Sequence, residues 1–266
     1  MKITRNFKRS IAVIADTHIG SPYGIASPEM RDNGAQIKMT RHQKILYSYW
    51  HTIQATCNDL KVDTVLLNGD LIHRRNRKEN GAGCIGSLSD QVTAATQLLA
   101  PLCHNRKVFG VEGTIYHHSI DTDTEQIIVE SLGGKYAGRM LDATIDGTSI
   151  RLNMCHGKST GGYKETSIAK DINAAKIAAY DDKVDRYDLF IRSHSHTFCH
   201  VDKPGIHYVS TPSFTFLPPS DYSMKGWFQW QSCLGCVIIL IDDANRIQVL
   251  HFLLDNYPRV LDHIRL

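Results

Sequence analysis

The sequence predicts an α/β fold in which two mixed β-sheets pack on each other and helices cover their outer faces. Three observations predict it. Short β-type apolar runs alternate with stretches of helical periodicity along the chain. Asp and His recur at the ends of those runs: Asp16-Thr17-His18 after 11–15, Asn68-Gly69-Asp70 after 65–67, Cys155-His156-Gly157 after 150–154, and His194-Ser195-His196 after 189–191. No repeat and no linker rich in Pro, Gly or Ser divides the 266 residues. One domain over 1–266 is therefore expected, with insert loops at 71–88 and 212–235.

Each element follows from its own pattern. The N-terminus carries Lys2, Arg5, Lys8 and Arg9 before an apolar run, like a signal peptide. That run is too short and leads straight into Asp16, so 11–15 reads as a first strand. Leu46, Trp50, Ile53 and Cys57 recur at helical spacing and predict a helix over 44–60, leading into a strand over 62–67. A second helix is expected over 89–102, with Ser89 as N-cap, Val92, Ala95, Leu98 and Leu99 facing inward, and Pro101 at its fraying end. The strand 107–111 follows, then a helix over 123–132 with Ile127, Ile128 and Leu132 inward and Gly133-Gly134 as terminator. Segments 140–146 and 149–155 form a hairpin around Asp146-Gly147, a favoured two-residue turn. An Ala-rich helix is expected over 166–180 and strands over 188–191 and 206–210. A last strand pair, 236–242 and 246–254, is joined by the polar turn Asp243-Ala244-Asn245.

Composition narrows the function classes. A formal charge of +3 gives no global basic footprint, and 42% hydrophobic residues without a long apolar run argue for a globular core and against a membrane span. Seven cysteines are scattered, and Cys233-Leu234-Gly235-Cys236 lacks a second pair, which argues against a structural zinc. Reduced thiols and a cytoplasmic location are the expectation.

The Asp and His positions carry the chemistry. In an open α/β sheet, ligands collect beyond the carboxyl ends of the strands. Imidazole and carboxylate donors suit Mn, Fe and Zn ions. Two ions ~3.5–4 Å apart clamp both oxygens of an in-line phosphoryl displacement. A lone Asp-x-His is weak evidence, whereas the ordered set, each member behind a β-type run, is specific. A lone His is more often a surface or hydrogen-bonded residue, so His42, His51, His104, His200, His207, His251 and His263 receive no role.

This ordered set resembles the calcineurin-like metallophosphoesterase family over 11–197. That family reads Asp-x-His, Gly-Asp, Gly-Asn-His, a His often before Gly, and Gly-His-x-His. The matching residues here are Asp16-Thr17-His18, Gly69-Asp70, Gly113-Thr114, His156-Gly157 and Ser193-His194-Ser195-His196. The resemblance implies a four-layer sandwich and a centre of two divalent ions. Asp16, His18, Asp70 and His196 would hold the first ion, His156 and His194 the second, and Asp70 would bridge. Mn(II) is the first expectation for the metal, with Fe or Zn as alternatives.

Two departures stand out. Ser193 replaces the family's Gly, a small-for-small exchange. Thr114 stands where the family's Asn binds the second ion, and the stretch Gly113-Thr114-Ile115-Tyr116-His117-His118 has no His directly after it. This Gly-Thr-x-x-His variant looks like a phage-type branch of the family. A hydroxyl is a poorer ligand than an amide oxygen, so a weaker second site, or one completed by water, is expected. His117 is the candidate general acid, with His118 the alternative.

Two segments bear on specificity. Segment 73–86 carries Arg74, Arg75, Arg77 and Lys78, and a guanidinium fork binds phosphate bidentately. Arg74 is nearest to Asp70; the alternative is a solvated surface loop. Segment 212–233 holds Phe214, Phe216, Tyr222, Trp227, Phe228 and Trp230, read as structural packing or a homo-oligomer contact ahead of base stacking. Three functions stay open. The first is a phosphodiesterase or nuclease acting on DNA, RNA or nucleotides by attack of a metal-bound hydroxide. The second is a phosphomonoesterase on phosphoprotein or a small molecule. The third is a metal-binding scaffold that has lost turnover through Thr114.

Overall fold

The computed structural model describes residues 7–74, 83–114, 123–157, 164–180, 186–216 and 232–255. In chain order the elements are β1 (Phe7–Ile14), β2 (Arg31–Asp32), β3 (Ala35–Gln36), α1 (Arg41–Asp59), β4 (Thr64–Asn68), α2 (Leu88–Cys103), β5 (Lys107–Val111), α3 (Thr124–Ser131), β6 (Lys135–Tyr136), β7 (Leu141–Thr144), β8 (Arg151–Cys155), α4 (Lys164–Tyr180), β9 (Leu189–Arg192), β10 (Cys199–Lys203), β11 (Ile206–Ser210), β12 (Gly235–Asp242) and β13 (Ile247–Leu253).

Two mixed sheets result. The first runs β13-β12-β1-β4-β5-β6, with β1, β4, β5 and β6 parallel and β12 and β13 antiparallel. The second runs β10-β11-β9-β8-β7, with β11, β9 and β8 parallel. Strand periodicity divides each sheet between two cores. Ile11, Val13, Leu66, Val237 and Ile239 meet Leu152, Met154, Leu189, Ile191 and Val209 in the layer between the sheets. The alternating residues Ala12, Ile14, Val65 and Leu67 pack outward against Leu46, Trp50 and Ile53 of α1 and Leu98 and Leu99 of α2. Phe190 and Tyr208 turn away from the first sheet and pack with Ile172 of α4. The layers are thus helices, sheet, sheet and helix, as the alternation predicts.

Several element ends differ from expectation. α1 begins at Arg41 because Thr40 and Gln43 form a capping box, each side chain satisfying a main-chain N–H of the other. Ser87, not Ser89, caps α2; its hydroxyl accepts from Asp90 N, and Ser89 lies inside the first turn. Pro101 lies in the last turn of α2, which ends one residue beyond the expected bound, with Leu102 and Cys103 buried in the core. Asp123 is the N-cap of α3, and Ile127 points to solvent while Ile128 and Val129 are buried. The connection between β7 and β8 spans 145–150 around Gly147, closed by Ile145 N–H donating to Ile150 O, and is longer than a two-residue turn. The unforeseen β10 is an edge strand of half-buried and exposed residues; its alternation is limited to Cys199 and Val201, which pack beside Phe190 and Tyr208, and is too short to mark a strand in sequence.

Phe214 is fully buried with its ring edge-on to Trp50 at 5.1 Å, and Phe216 is buried beside His42. These two aromatics are core packing; Tyr222, Trp227, Phe228 and Trp230 lie outside the described residues. Among the described residues no helix is long and apolar enough to cross a membrane.

Candidate metal centre

The parallel strands of both sheets end at one pole, and that pole collects Asp16, His18, Asp70, His156, His194 and His196. β1 and β4 are neighbours, and the loops beyond them continue side by side: Asp16 N donates to Gly69 O, His18 N to Asp70 O and Ile19 N to Leu71 O, each at 3.1 Å. β5, beside β4, delivers Gly113 and Thr114. In the second sheet β8 leads to His156, and its neighbour β9 leads to His194 and His196.

The backbone is bent to bring these side chains together. Asp16 (φ 51°), His18 (φ 42°), Asp70 (φ 49°), His194 (φ 70°) and His196 (φ 52°) all occupy the left-handed region. Such a conformation costs a non-glycine residue roughly 1–2 kcal/mol, and five of them fall at this one pole. Gly113 serves by its small size: a Cβ there would lie 2.1 Å from Asp70 Oδ1.

Two groups form, and Asp16 belongs to both. Asp16, Asp70, His156 and His194 make one; Asp16, His18 and His196 make the other. His196 Nε2 lies 3.1 Å from Asp16 Oδ1 and 3.3 Å from His18 Nε2. His156 Nε2 lies 2.9 Å from Asp70 Oδ2 and 3.7 Å from Asp16 Oδ1, and His194 Nδ1 lies 3.8 Å from Asp70 Oδ2. The resemblance implies a bridge through Asp70; the carboxylate common to both groups here is Asp16.

These donors fit divalent ions. His156 Nδ1 donates to Asn68 O at 2.6 Å, which leaves Nε2 as the nitrogen facing the carboxylates. Nε2 is buried and, despite its closeness to Asp70, has no hydrogen bond of acceptable geometry. Close, misaligned donor atoms are what two ligands of one ion present. Electrostatics agree. Burial opposes ionisation of Asp16 and Asp70, but the surrounding histidines outweigh it and hold both carboxyls below the usual range. Burial also opposes charge on His156, yet Asp70 and Asp16 lift it to about 10. Two buried carboxylates thus draw positive charge into the pole.

The other expected site residues fall as follows. Thr114 meets Asp70: its N–H donates to Oδ1 at 2.7 Å, and its hydroxyl lies 3.2 Å from each carboxylate oxygen. Arg74 sits in the left-handed region (φ 53°), its N–H held by Gln91 Oε1 at 2.9 Å. His117 and His118 lie outside the described residues, as do Arg75, Arg77 and Lys78.

No protein-family model matches the sequence. Nor does any curated protein. Solved structures do. An archaeal phosphodiesterase aligns at 12% identity over 91% of this chain and 99% of its own, with a TM-score of 0.47. Vps29 from Entamoeba histolytica, complexed with Zn2+, aligns at 14% identity over 92% and 98%, with a TM-score of 0.44. A predicted phosphoesterase from Streptococcus pneumoniae aligns at 11% identity over 92% and 97%, with a TM-score of 0.40. Identities this low leave activity to be argued from the site itself.

Two residues at the pole were not singled out by sequence. His73 Nδ1 lies 3.5 Å from His18 Nδ1, its ring edge-on to that of His18. Asn68 supports His156 through its main-chain oxygen and donates its side-chain amide to the Ser193 hydroxyl. For Asn68 the available signal was a polar residue directly after the apolar run Val65-Leu66-Leu67, just before Gly69-Asp70.

Proposed function

We propose that this protein is a metal-dependent phosphoesterase, and that its substrate is a phosphodiester of nucleic acid or nucleotide type. The observation that carries the reading is the convergence, at one pole, of two adjoining Asp/His groups that share Asp16. Asp16, His18 and His196 would hold one divalent ion and His156 and His194 a second, with Asp70 between them and Thr114 orienting Asp70. Mn(II) is the proposed activator. When bound, such ions supply Lewis-acid charge to the phosphoryl oxygens and activate the attacking water.

The chain's own residues do the rest. The buried carboxylates Asp16 and Asp70 keep their charge and fix the imidazoles that face them. Arg74, on the loop beyond Asp70, offsets charge on the phosphate. His117 is the proposed donor of a proton to the leaving oxygen, a role worth ~10²–10⁴ in rate. Of the six Asp and His residues, five have buried or nearly buried side chains and His194 is 53% exposed, which gives a substrate phosphate an approach on the His194 side.

The test is hydrolysis of bis(p-nitrophenyl) phosphate beside p-nitrophenyl phosphate, with Mn2+ added to chelator-stripped protein and Asp70→Ala as blank. Faster diester turnover, abolished in Asp70→Ala, is expected. Faster monoester turnover would replace the diester reading with a phosphomonoesterase, and metal binding without turnover would leave a scaffold. With an alkyl phosphodiester assayed beside bis(p-nitrophenyl) phosphate, His117→Ala should slow the alkyl ester far more than the p-nitrophenyl ester, whose leaving group needs no proton; equal losses would remove His117 from that role.

A further inference from the structure

The pole is assembled from two sheets, so its geometry depends on what fixes one sheet against the other. Asp16, His18 and Asp70 follow strands of the first sheet; His156, His194 and His196 follow strands of the second. Asn68, the last residue of β4, is fully buried and reaches the second sheet twice. Its main-chain oxygen takes the His156 Nδ1–H at 2.6 Å. Its side-chain amide donates to the hydroxyl of Ser193, which is buried between the end of β9 and His194. One link therefore touches the supports of both second-sheet histidines that flank Asp70.

Two further observations bear on this link. Asn68 Oδ1 is buried without a hydrogen-bond partner. An aliphatic side chain of similar size would leave no such atom, so the fold tolerates a polar cost at this position. Ser193 is also the residue that departs from the Gly-His-x-His pattern, and its hydroxyl is what receives the amide. A glycine there could not take that hydrogen bond.

We propose that Asn68 and Ser193 form a positioning pair that sets the distance between the two halves of the centre and thereby its affinity for divalent ions. The proposal rests on the metal reading above. Coordination distances are fixed to about ±0.2 Å, so a small drift of His156 and His194 away from Asp70 loses affinity. Removing an outer partner of a ligand costs ~10–100-fold in affinity in comparable centres.

Calorimetric titration of Mn2+, and separately of Zn2+, into the chelator-stripped full chain tests this, with melting of the ion-free proteins measured in parallel. Ser193→Ala and Asn68→Ala should each raise Kd by roughly 10-fold or more. The double variant should lose no more than the weaker-binding single, as expected for two residues acting through one contact. Unchanged Kd in Ser193→Ala, with or without a fall in melting temperature, makes the pair a structural strut and overturns the proposal; so do additive losses. Ser193→Ala removes one hydroxyl only, so it decides the matter even if Asn68→Ala does not fold. A wild-type chain that binds neither ion overturns this proposal and the metal reading together, whereas wild-type binding with unaffected variants overturns this one alone.

Discussion

At the residue scale, the pole is defined by backbone conformation as much as by donor chemistry. Five Asp and His residues accept left-handed φ values, which their short polar side chains tolerate better than branched ones do. The identity of these residues was legible because Asp and His at strand ends are chemically conspicuous. Their exact geometry was not, since φ at a turn depends on what the turn packs against. Gly113 illustrates the point. In the sequence it is one glycine of a short motif; in the structure any side chain there would displace Asp70. Gly113→Ala should therefore cut Mn2+ affinity by at least an order of magnitude while leaving far-UV circular dichroism unchanged. Normal affinity in this variant would mean that the Asp70 carboxylate relaxes freely. Thr114 behaves in the same way. Its residue type suggested a poor ligand, and its N–H and hydroxyl both turn to Asp70.

At the element scale, the centres of helices and strands were legible and their ends were not. The buried face of α1, with Leu46, Trp50, Ile53 and Cys57, follows from helical spacing alone. Its start does not, because the Thr40–Gln43 capping box lies before the periodic stretch. Gln43 also acts beyond the cap. Its amide donates to Ser21 O at 3.0 Å and to Gly83 O at 2.9 Å, joining the start of α1 to the loop beyond β1 and to Gly83. Thr40→Ala should destabilise the protein by about 1 kcal/mol through the lost cap. Gln43→Leu should cost more, because it leaves the buried Ser21 and Gly83 carbonyls without that donor, at ~1–3 kcal/mol. Urea unfolding of the two variants checks the order; a larger loss in Thr40→Ala would show that the cap outweighs the loop contacts.

At the scale of the whole molecule, an ion held at the pole would tie one sheet to the other, since each sheet contributes three of the six Asp and His ligands proposed. Binding to the folded chain alone stabilises it by about 2.7 kcal/mol at a free concentration 100 times Kd. For a chain of this size each kcal/mol raises the melting temperature by roughly 2–4 °C. Adding Mn2+ to stripped protein should thus raise the melting temperature by roughly 5–10 °C, and Asp16→Ala, which removes the carboxylate common to both groups, should abolish the shift. A full shift in Asp16→Ala would place the ion elsewhere.

By itself the sequence determined the alternation of strands and helices, the two-sheet architecture and the set of Asp and His residues that gather at one pole. These are local properties: burial period, turn chemistry and donor type are written within a few residues of each position. Only the tertiary structure decided that Asp16 lies within both Asp/His groups, that Thr114 turns to Asp70, and that Asn68 meets Ser193, 125 positions away. Such contacts are fixed by strand order and by the register between strands, and a shift of a single residue in either would bring different side chains to the same pole.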